Sequence, residues 1–242
     1  MDQAQYCDAI ATAAATIVEV ARQDPDAAVP SCPDWDVRQL AFHVGSVHRM
    51  ATAVVATPVQ EAAGMRGLFA APDPATDPGD WVEAGAATLV ATLRAADPGA
   101  PVFTFWPPHV MPFWFRRQAN ETEIHRWDAQ LAVGTPDPVP TDLAITGVEE
   151  KLEKFAAHPR YAEVAPGSGT VHLHATDAPG EWLVTFSPTG LLVDRSHAKG
   201  DVAVRATASD LDLLVSGRLD SAALEVFGDV SLLDRFVALD VI

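Results

Sequence analysis

Residues 116–132 read RRQANETEIHRWDAQLA, and their pattern decides how the first half of the chain folds. Glu121, His125 and Asp128 are separated by four and three residues, so in a helix they form one stripe along a single face. A glutamate and a histidine spaced in this way project from adjacent turns and can converge on one metal ion. If the polar stripe faces a bundle core, a bound metal would satisfy it. The alternative is a solvated acidic face.

A second helix supplies another candidate ligand. Residues 32–49 read CPDWDVRQLAFHVGSVHR, and the apolar positions that begin there step by threes and fours, with Asp34 or Asp36 placed to cap the helix. His43 lies close in angle to the apolar positions and points toward the bundle interior or its margin. A lone histidine there is either a hydrogen-bonded core residue or a ligand. Combined with the Glu/His pair, it makes a three-ligand site with an open position, which is the composition of a catalytic zinc centre.

Four helical stretches occupy the first half of the chain. We predict them at about 3–22, from residue 34 or 36 onwards, at 81–96 and at 113–132. Residues 57–80 read as a loop, and a second Pro-rich crossing precedes the fourth helix. Four helices with two long connections predict a helical bundle.

The second half changes from helical periodicity to short alternating runs. After a helix near 143–157, the segments TVHLHAT, EWLVTFS, GLLVDR and DVAVRAT read as strands. The tail reads as three short helices, in SDLDLLVSG, SAALEVFG and VSLLDRFVAL. The simplest arrangement is an antiparallel sheet covered by helices, so the predicted fold class is α+β. We predict a four-helix bundle domain at 1–140 and a small α+β domain at 141–242.

Two histidines of the first predicted strand, His172 and His174, alternate onto one face of that strand. Two histidines so placed can bind a metal ion. We interpret this pair as part of a surface strand face, which is the more common setting.

The composition excludes several classes of partner. A formal net charge of −17 repels phosphate, so neither nucleic acid nor an anionic membrane is expected as a partner. The N-terminus has no basic start ahead of an apolar core, so no signal peptide is expected. The two cysteines, Cys7 and Cys32, are most simply reduced thiols of a cytoplasmic protein. No segment reads as an assembly interface, which favours a monomer acting on small molecules.

The segment at 32–49, followed about 70 residues later by NETEIHRWDAQLA, resembles the mycothiol-dependent maleylpyruvate isomerase family of the DinB-like superfamily. The resemblance covers essentially the whole chain. It implies an N-terminal DinB-like four-helix bundle and a C-terminal domain related to sterol carrier proteins. The family's His, Glu and His metal ligands fall on His43, Glu121 and His125.

The resemblance also implies two further functional residues and two cofactors. The aspartate that follows the second histidine falls on Asp128, which could orient His125 or contact the substrate. The best candidate for the family's functional arginine is Arg218, on a looser alignment than that of the metal ligands, and Arg205 is the alternative. The implied cofactors are a divalent metal, zinc above all, and the low-molecular-weight thiol mycothiol.

These residues predict a specific chemistry. A free thiol is only a few per cent ionised at neutral pH, and zinc coordination deprotonates it without a dedicated base. The resulting thiolate attacks a small electrophile, and addition, rotation and elimination would isomerise a cis alkene. Arg218 would hold a substrate carboxylate. The alternatives are a hydrolase in which bound water replaces the thiol, a non-catalytic ligand-binding module, and a structural bundle without metal.

Overall fold

The computed structural model describes residues 1–57, 66–157, 161, 168–188 and 190–241. The chain divides into two compact units, Met1–Asp137 and Pro138–Ile242. The predicted loop at 57–80 lies partly outside the described residues. No helix among the described residues is both long enough and apolar enough to cross a membrane.

The first unit is a bundle of four helices, as the periodicity predicts. They are α1 (Gln3–Gln23), α2 (Val37–Ala56), α3 (Pro78–Ala95) and α4 (Pro112–Val133). Helices α1 and α2 each pack against both α3 and α4. The observed helix boundaries lie within three residues of the predicted ones wherever a boundary was predicted.

The position of α2 along the chain follows from its N-terminal cap. The carboxylate of Asp36 accepts a hydrogen bond from the backbone N–H of Gln39, and the Gln39 side chain accepts one from the backbone N–H of Asp36. This capping box satisfies two backbone donors at once. Of the two aspartates that the sequence offers, Asp36 is therefore the cap. Because the cap fixes where α2 begins, it also fixes where along the helix His43 lies.

The second unit is a five-stranded sheet with helices, which confirms the α+β class. It begins with α5 (Thr141–Ala157), and its first four strands are β1 (Gly169–Ala175), β2 (Glu181–Ser187), β3 (Gly190–Asp194) and β4 (Val202–Ala206). Two helices and a fifth strand follow: α6 (Ala208–Val215), β5 (Glu225–Gly228) and α7 (Val230–Val237). The strand order is β3-β2-β1-β4-β5.

The sheet is mixed, so the wholly antiparallel arrangement predicted from the sequence is wrong for one strand pair. Strands β1 and β4 are parallel, and the other three pairs are antiparallel. Strand β2 pairs with β1 on one side and with β3 on the other. The segment after β3 then passes to the other side of β1, and this crossover makes β4 parallel to β1.

The tail also departs from the prediction at one element. The segment SAALEVFG was expected to be a short helix, but only Ser221–Ala223 forms a 3₁₀ turn, and Glu225–Gly228 is strand β5. Strand β5 pairs with β4, whose edge would otherwise lack a partner. Four residues are too few to show a period, so the pairing with β4 decides the conformation.

Candidate metal centre

The structure brings the three predicted ligand residues together in the first unit. The Nε2 atom of His43 on α2 lies 3.2 Å from Oε1 of Glu121 on α4. The Nε2 atom of His125, one turn further along α4, lies 3.5 Å from the same oxygen. One ligand atom from each of the three side chains lies within 4.8 Å of the other two. The polar stripe of α4 therefore faces the bundle interior and meets His43 there.

A carboxylate orients His125. The Nδ1 atom of its ring lies 3.0 Å from Oδ2 of Asp128, whose other oxygen accepts a hydrogen bond of 2.6 Å from the hydroxyl of Ser31. Asp128 is fully buried. A bond at Nδ1 leaves Nε2 directed at Glu121, which is the arrangement in which a histidine commonly binds a metal ion.

Glu121 is held in its ionised form. The guanidinium of Arg117, one turn earlier on α4, donates a hydrogen bond of 2.5 Å to its Oε2. Burial raises the pKa of the Glu121 carboxyl, but Arg117, His125 and His43 together outweigh burial and keep that pKa well below its usual range. A carboxylate is therefore present at the centre across the physiological pH range.

His125 carries a proton when no cation is bound. Burial lowers the pKa of His125, but the hydrogen bonds to Asp128 and Glu121 outweigh burial and raise that pKa to about 9. A cation that binds between these side chains must displace this proton. Two imidazoles and one carboxylate around one point form an environment suited to a positive charge.

The donor set fits a zinc ion. Nitrogen and oxygen ligands bind zinc at about 2.1 Å, so ligand atoms around a tetrahedral ion lie about 3.4 Å apart. The distances from Glu121 Oε1 to the two histidine nitrogens, 3.2 and 3.5 Å, match this separation. Three protein ligands would leave one position open.

The two histidine ligands differ in their exposure to solvent. The side chain of His43 is 34% exposed, and that of His125 is 8% exposed.

The connector between α1 and α2 covers the centre. The ring of Trp35 lies 4.8 Å from that of His43 and 5.9 Å from that of His125, measured between centroids. Backbone hydrogen bonds between Val29 and Trp35 and between Ala27 and Val37 hold the connector in place. Ser31 and Trp35 have no helical spacing relative to α4, so their contacts with the centre become visible only in the folded structure.

The thiol of Cys32 also reaches the centre, with its sulfur 3.9 Å from Oδ2 of Asp128. His48 lies close to the centre but is not one of the clustered ligands. It is fully buried, and its Nε2 is 2.9 Å from the hydroxyl of Thr122 on α4.

The two candidate arginines belong to the second unit. Arg218 follows α6, and its guanidinium donates a hydrogen bond of 2.8 Å to the backbone carbonyl of Ser216. Arg205 lies on β4, exposed, with Glu225 of β5 at 3.8 Å. Both remain predictions as substrate-binding residues.

Two family matches account for most of the chain. Residues 7–130 match the mycothiol maleylpyruvate isomerase N-terminal domain, and residues 142–235 match the C-terminal domain of the same family. The chain belongs to the mycothiol maleylpyruvate isomerase family. The resemblance stated from the sequence is thereby confirmed.

Solved structures show the fold shared within the mycothiol maleylpyruvate isomerase family. The crystal structure of the mycothiol-dependent maleylpyruvate isomerase matches with a TM-score of 0.66 at 13% identity, covering 93% of each chain. A His-to-Ala mutant of the mycothiol-dependent maleylpyruvate isomerase matches with a TM-score of 0.65 at 12% identity, again covering 93% of each chain. No curated protein matches this chain.

Proposed function

We propose that this member of the mycothiol maleylpyruvate isomerase family is a metal- and mycothiol-dependent isomerase or S-transferase acting on a small electrophile. One observation carries the proposal: in a chain of this family, the ligand atoms of His43, Glu121 and His125 converge within 4.8 Å. The three ligands come from α2 and α4, and His43 and Glu121 are almost 80 residues apart in the sequence. Its chemistry is that of a catalytic zinc centre with one position open.

Each side chain has a distinct part in this proposal. Asp128 holds the Nδ1–H of His125, so that Nε2 presents its lone pair to the ligand cluster. Arg117 keeps Glu121 ionised and limits its rotation. When bound, the metal would lower the pKa of a coordinated thiol, and mycothiol would supply a sulfur nucleophile that adds reversibly to an electrophilic carbon.

The exposure of the ligands favours entry from the side of His43. That side chain is a third exposed, whereas His125 lies beneath it and Asp128 is fully buried. Trp35 lies against both imidazole rings and limits their movement. In the second unit, we assign Arg218 the binding of a substrate carboxylate, as the family resemblance implies. The reduced thiol that the proposal requires is consistent with a cytoplasmic location.

The proposal is tested by turnover of zinc-loaded protein with maleylpyruvate and a panel of conjugated alkenes and epoxides. Consumption of a substrate should require added mycothiol. It should be lost in His125→Ala and in Glu121→Gln. The matched control is Glu19→Gln, which changes an exposed carboxylate on α1 outside the cluster and should leave the rate unchanged. A trans isomer as product identifies an isomerase, and a thioether identifies a transferase.

Two results would contradict the proposal. Turnover without mycothiol that still needs His125 would indicate a hydrolase that uses water at the same centre. Zinc-loaded protein that binds the small molecules but converts none of them, with or without thiol, would indicate a ligand-binding module.

A further inference from the structure

A second cluster of metal-ligating side chains lies in the second unit. It consists of His172, His174, Glu181 and His197, and one ligand atom from each lies within 4.8 Å of the others. All four residues belong to the second unit and none of them is part of the centre proposed for catalysis. The family's chemistry as proposed above makes no use of them.

The strand register explains why three of the four side chains meet. His172 and His174 are two residues apart on β1 and point to the same face of the sheet. Glu181, the first residue of β2, pairs directly with His174 across the antiparallel ladder. The Nδ1 atom of His174 lies 2.9 Å from one oxygen of Glu181. The other residues of β1 near them, Val171 and Leu173, are buried on the opposite face.

The fourth side chain comes from the connection between β3 and β4. The Nδ1 atom of His197 lies 2.6 Å from Oε2 of Glu181, and its side chain is 81% exposed. Gly200 brings this connection down onto the sheet. A Cβ built there would lie 3.0 and 3.1 Å from the backbone N and the Cβ of His172, and 2.6 Å from the carbonyl oxygen of Val202. Only a residue without a side chain allows this close approach.

His172 provides an independent sign that the cluster has a ligand. The residue is only 7% exposed, so the surface position predicted for it is wrong. The connection that carries His197 and Gly200 covers it. Within the described residues, its buried Nε2 has no hydrogen-bond partner, although Oε2 of Glu181 lies 3.4 Å away. A buried polar atom without a partner is costly, and a cation bound between His172 and Glu181 would remove that cost.

We propose that His172, His174, His197 and Glu181 form a second metal site, closed by four protein ligands and structural in role. Three imidazoles and one carboxylate select zinc or a similar transition ion over calcium or magnesium. His172 lies 3.4 Å from Glu181, the separation of two ligands around a tetrahedral zinc ion, whereas His174 and His197 lie at hydrogen-bond distances of 2.9 and 2.6 Å and would move apart slightly around an ion. Bound there, the ion ties the connection between β3 and β4 to the face of the sheet.

The test removes the first centre, so that the second can be measured independently of the proposed function. Full-length His125→Ala is dialysed against zinc, and the bound zinc is measured by elemental analysis. About one zinc per chain is expected, since a closed four-ligand site binds one ion. The double variant His125→Ala/His197→Ala should lose it. The matched control, His125→Ala/His109→Ala, removes an exposed histidine outside both clusters and should retain it.

Thermal unfolding provides a second readout. Zinc should raise the melting temperature of His125→Ala and of the control, but not that of His125→Ala/His197→Ala, because a ligand that binds only the folded state stabilises it. The exposed position of His197 makes its replacement compatible with folding, and circular dichroism checks this. Equal zinc content in all three variants, or none in His125→Ala, would overturn the proposal and leave the cluster as a hydrogen-bonded network.

Discussion

Asp128 is the side chain that fixes the orientation of His125 in the candidate metal centre. Its two carboxylate oxygens are bound to His125 on one side and to Ser31 on the other, and it is fully buried. The sequence left two roles open for it, orientation of His125 or contact with the substrate. Burial and engagement of both oxygens favour the orienting role.

Replacing Asp128 by Asn should weaken zinc binding at this centre about 10–100-fold, the usual loss when the partner of a metal-binding histidine is changed. Affinity is measured by competition with a chelator in a His197→Ala background, so that the second cluster does not contribute. Ser31→Ala serves as the control, because it removes only the bond to Oδ1, and its loss should be smaller. An unchanged affinity in Asp128→Asn would rule out the orienting role.

Zinc binding at the first centre should depend on pH because His125 carries a proton in the zinc-free protein. The pKa of His125 is raised to about 9 by Asp128 and Glu121, which outweigh burial. Below that value each bound zinc displaces one proton. The zinc affinity should therefore rise about tenfold per pH unit from pH 7 towards pH 9 and then level off. A flat profile from pH 7 to pH 9, measured in the same His197→Ala background, would show that His125 is neutral without metal.

Helical spacing made some residues of the centre predictable and left others hidden. Glu121 and His125 are recognisable because their spacing on one helix determines a common face. His43 required a second helix and the family's pattern. Ser31 and Trp35 showed no such signal, because they lie on an irregular connector. Arg117 is one turn from Glu121 on the same helix, so its spacing does indicate that the two side chains can pair.

At the scale of the helices, a buried contact joins α2 to α4. The hydroxyl of Thr122 donates to the carbonyl of Gln118, so its oxygen accepts the Nε2–H of His48. Within the described residues, the Nδ1 of His48 has no hydrogen-bond partner. Burial lowers the pKa of His48 to about 3. The buried ring of His48 is therefore neutral in the folded protein at physiological pH.

This contact predicts a loss of stability in acid. The pKa of His48 is about 3 in the folded protein, below its ordinary value of 6.5. Below pH 6.5 the unfolded chain takes up a proton on His48 that the folded protein does not bind. The free energy of unfolding therefore falls as the pH drops from 6.5 towards 3, by up to about 1.4 kcal/mol per pH unit. His48→Gln keeps a donor and removes this titration. The free energy of unfolding, measured by urea between pH 7 and pH 4, should therefore fall more steeply in wild type than in the variant. Parallel curves would contradict the prediction.

Helices α2 and α3 approach closely at Gly45. A Cβ at this position would lie 2.2 Å from Cδ1 of Trp81, whose indole is also stacked under the guanidinium of Arg49 at 3.4 Å. Gly45→Ala should destabilise the protein by about 1–3 kcal/mol through overpacking. This is opposite to the effect of alanine on an unobstructed helix, which is stabilising.

The control for Gly45→Ala is Gly134→Ala at the end of α4, where a Cβ would meet nothing within 4 Å. Urea unfolding should show a change of at most about 0.5 kcal/mol for this control. If the two variants have equal stability, the close approach of α2 and α3 does not restrict residue 45.

Elements whose side chains repeat with a clear spacing were predictable, and the shortest strand was not. The four bundle helices span 18 to 22 residues, so their apolar spacing is unambiguous. Strand β5 has four residues and takes its conformation from β4. The parallel pairing of β1 with β4 depends on the path of a connection, which alternation of side chains within a strand does not encode.

At the scale of the whole molecule, each of the two compact units holds one cluster suited to a transition metal among the residues that the structure describes. The first, with three ligands, fits a catalytic centre, and the second, with four, fits a structural site. The net charge of −17 also attracts divalent cations without specificity. Matched variants of single histidines are therefore needed to assign bound metal to either cluster.

The central claim is that the centre formed by His43, Glu121 and His125 binds a low-molecular-weight thiol as its thiolate. Calorimetric titration of zinc-loaded protein with mycothiol, in buffers of different ionisation enthalpy at pH 7, tests it without knowledge of the electrophile. A free thiol with a pKa near 8.5 is almost wholly protonated at this pH, so binding should release about one proton per chain. Release should be absent with S-methylated mycothiol and in His125→Ala. Mycothiol binding without proton release, or with equal affinity in His125→Ala, would contradict the claim.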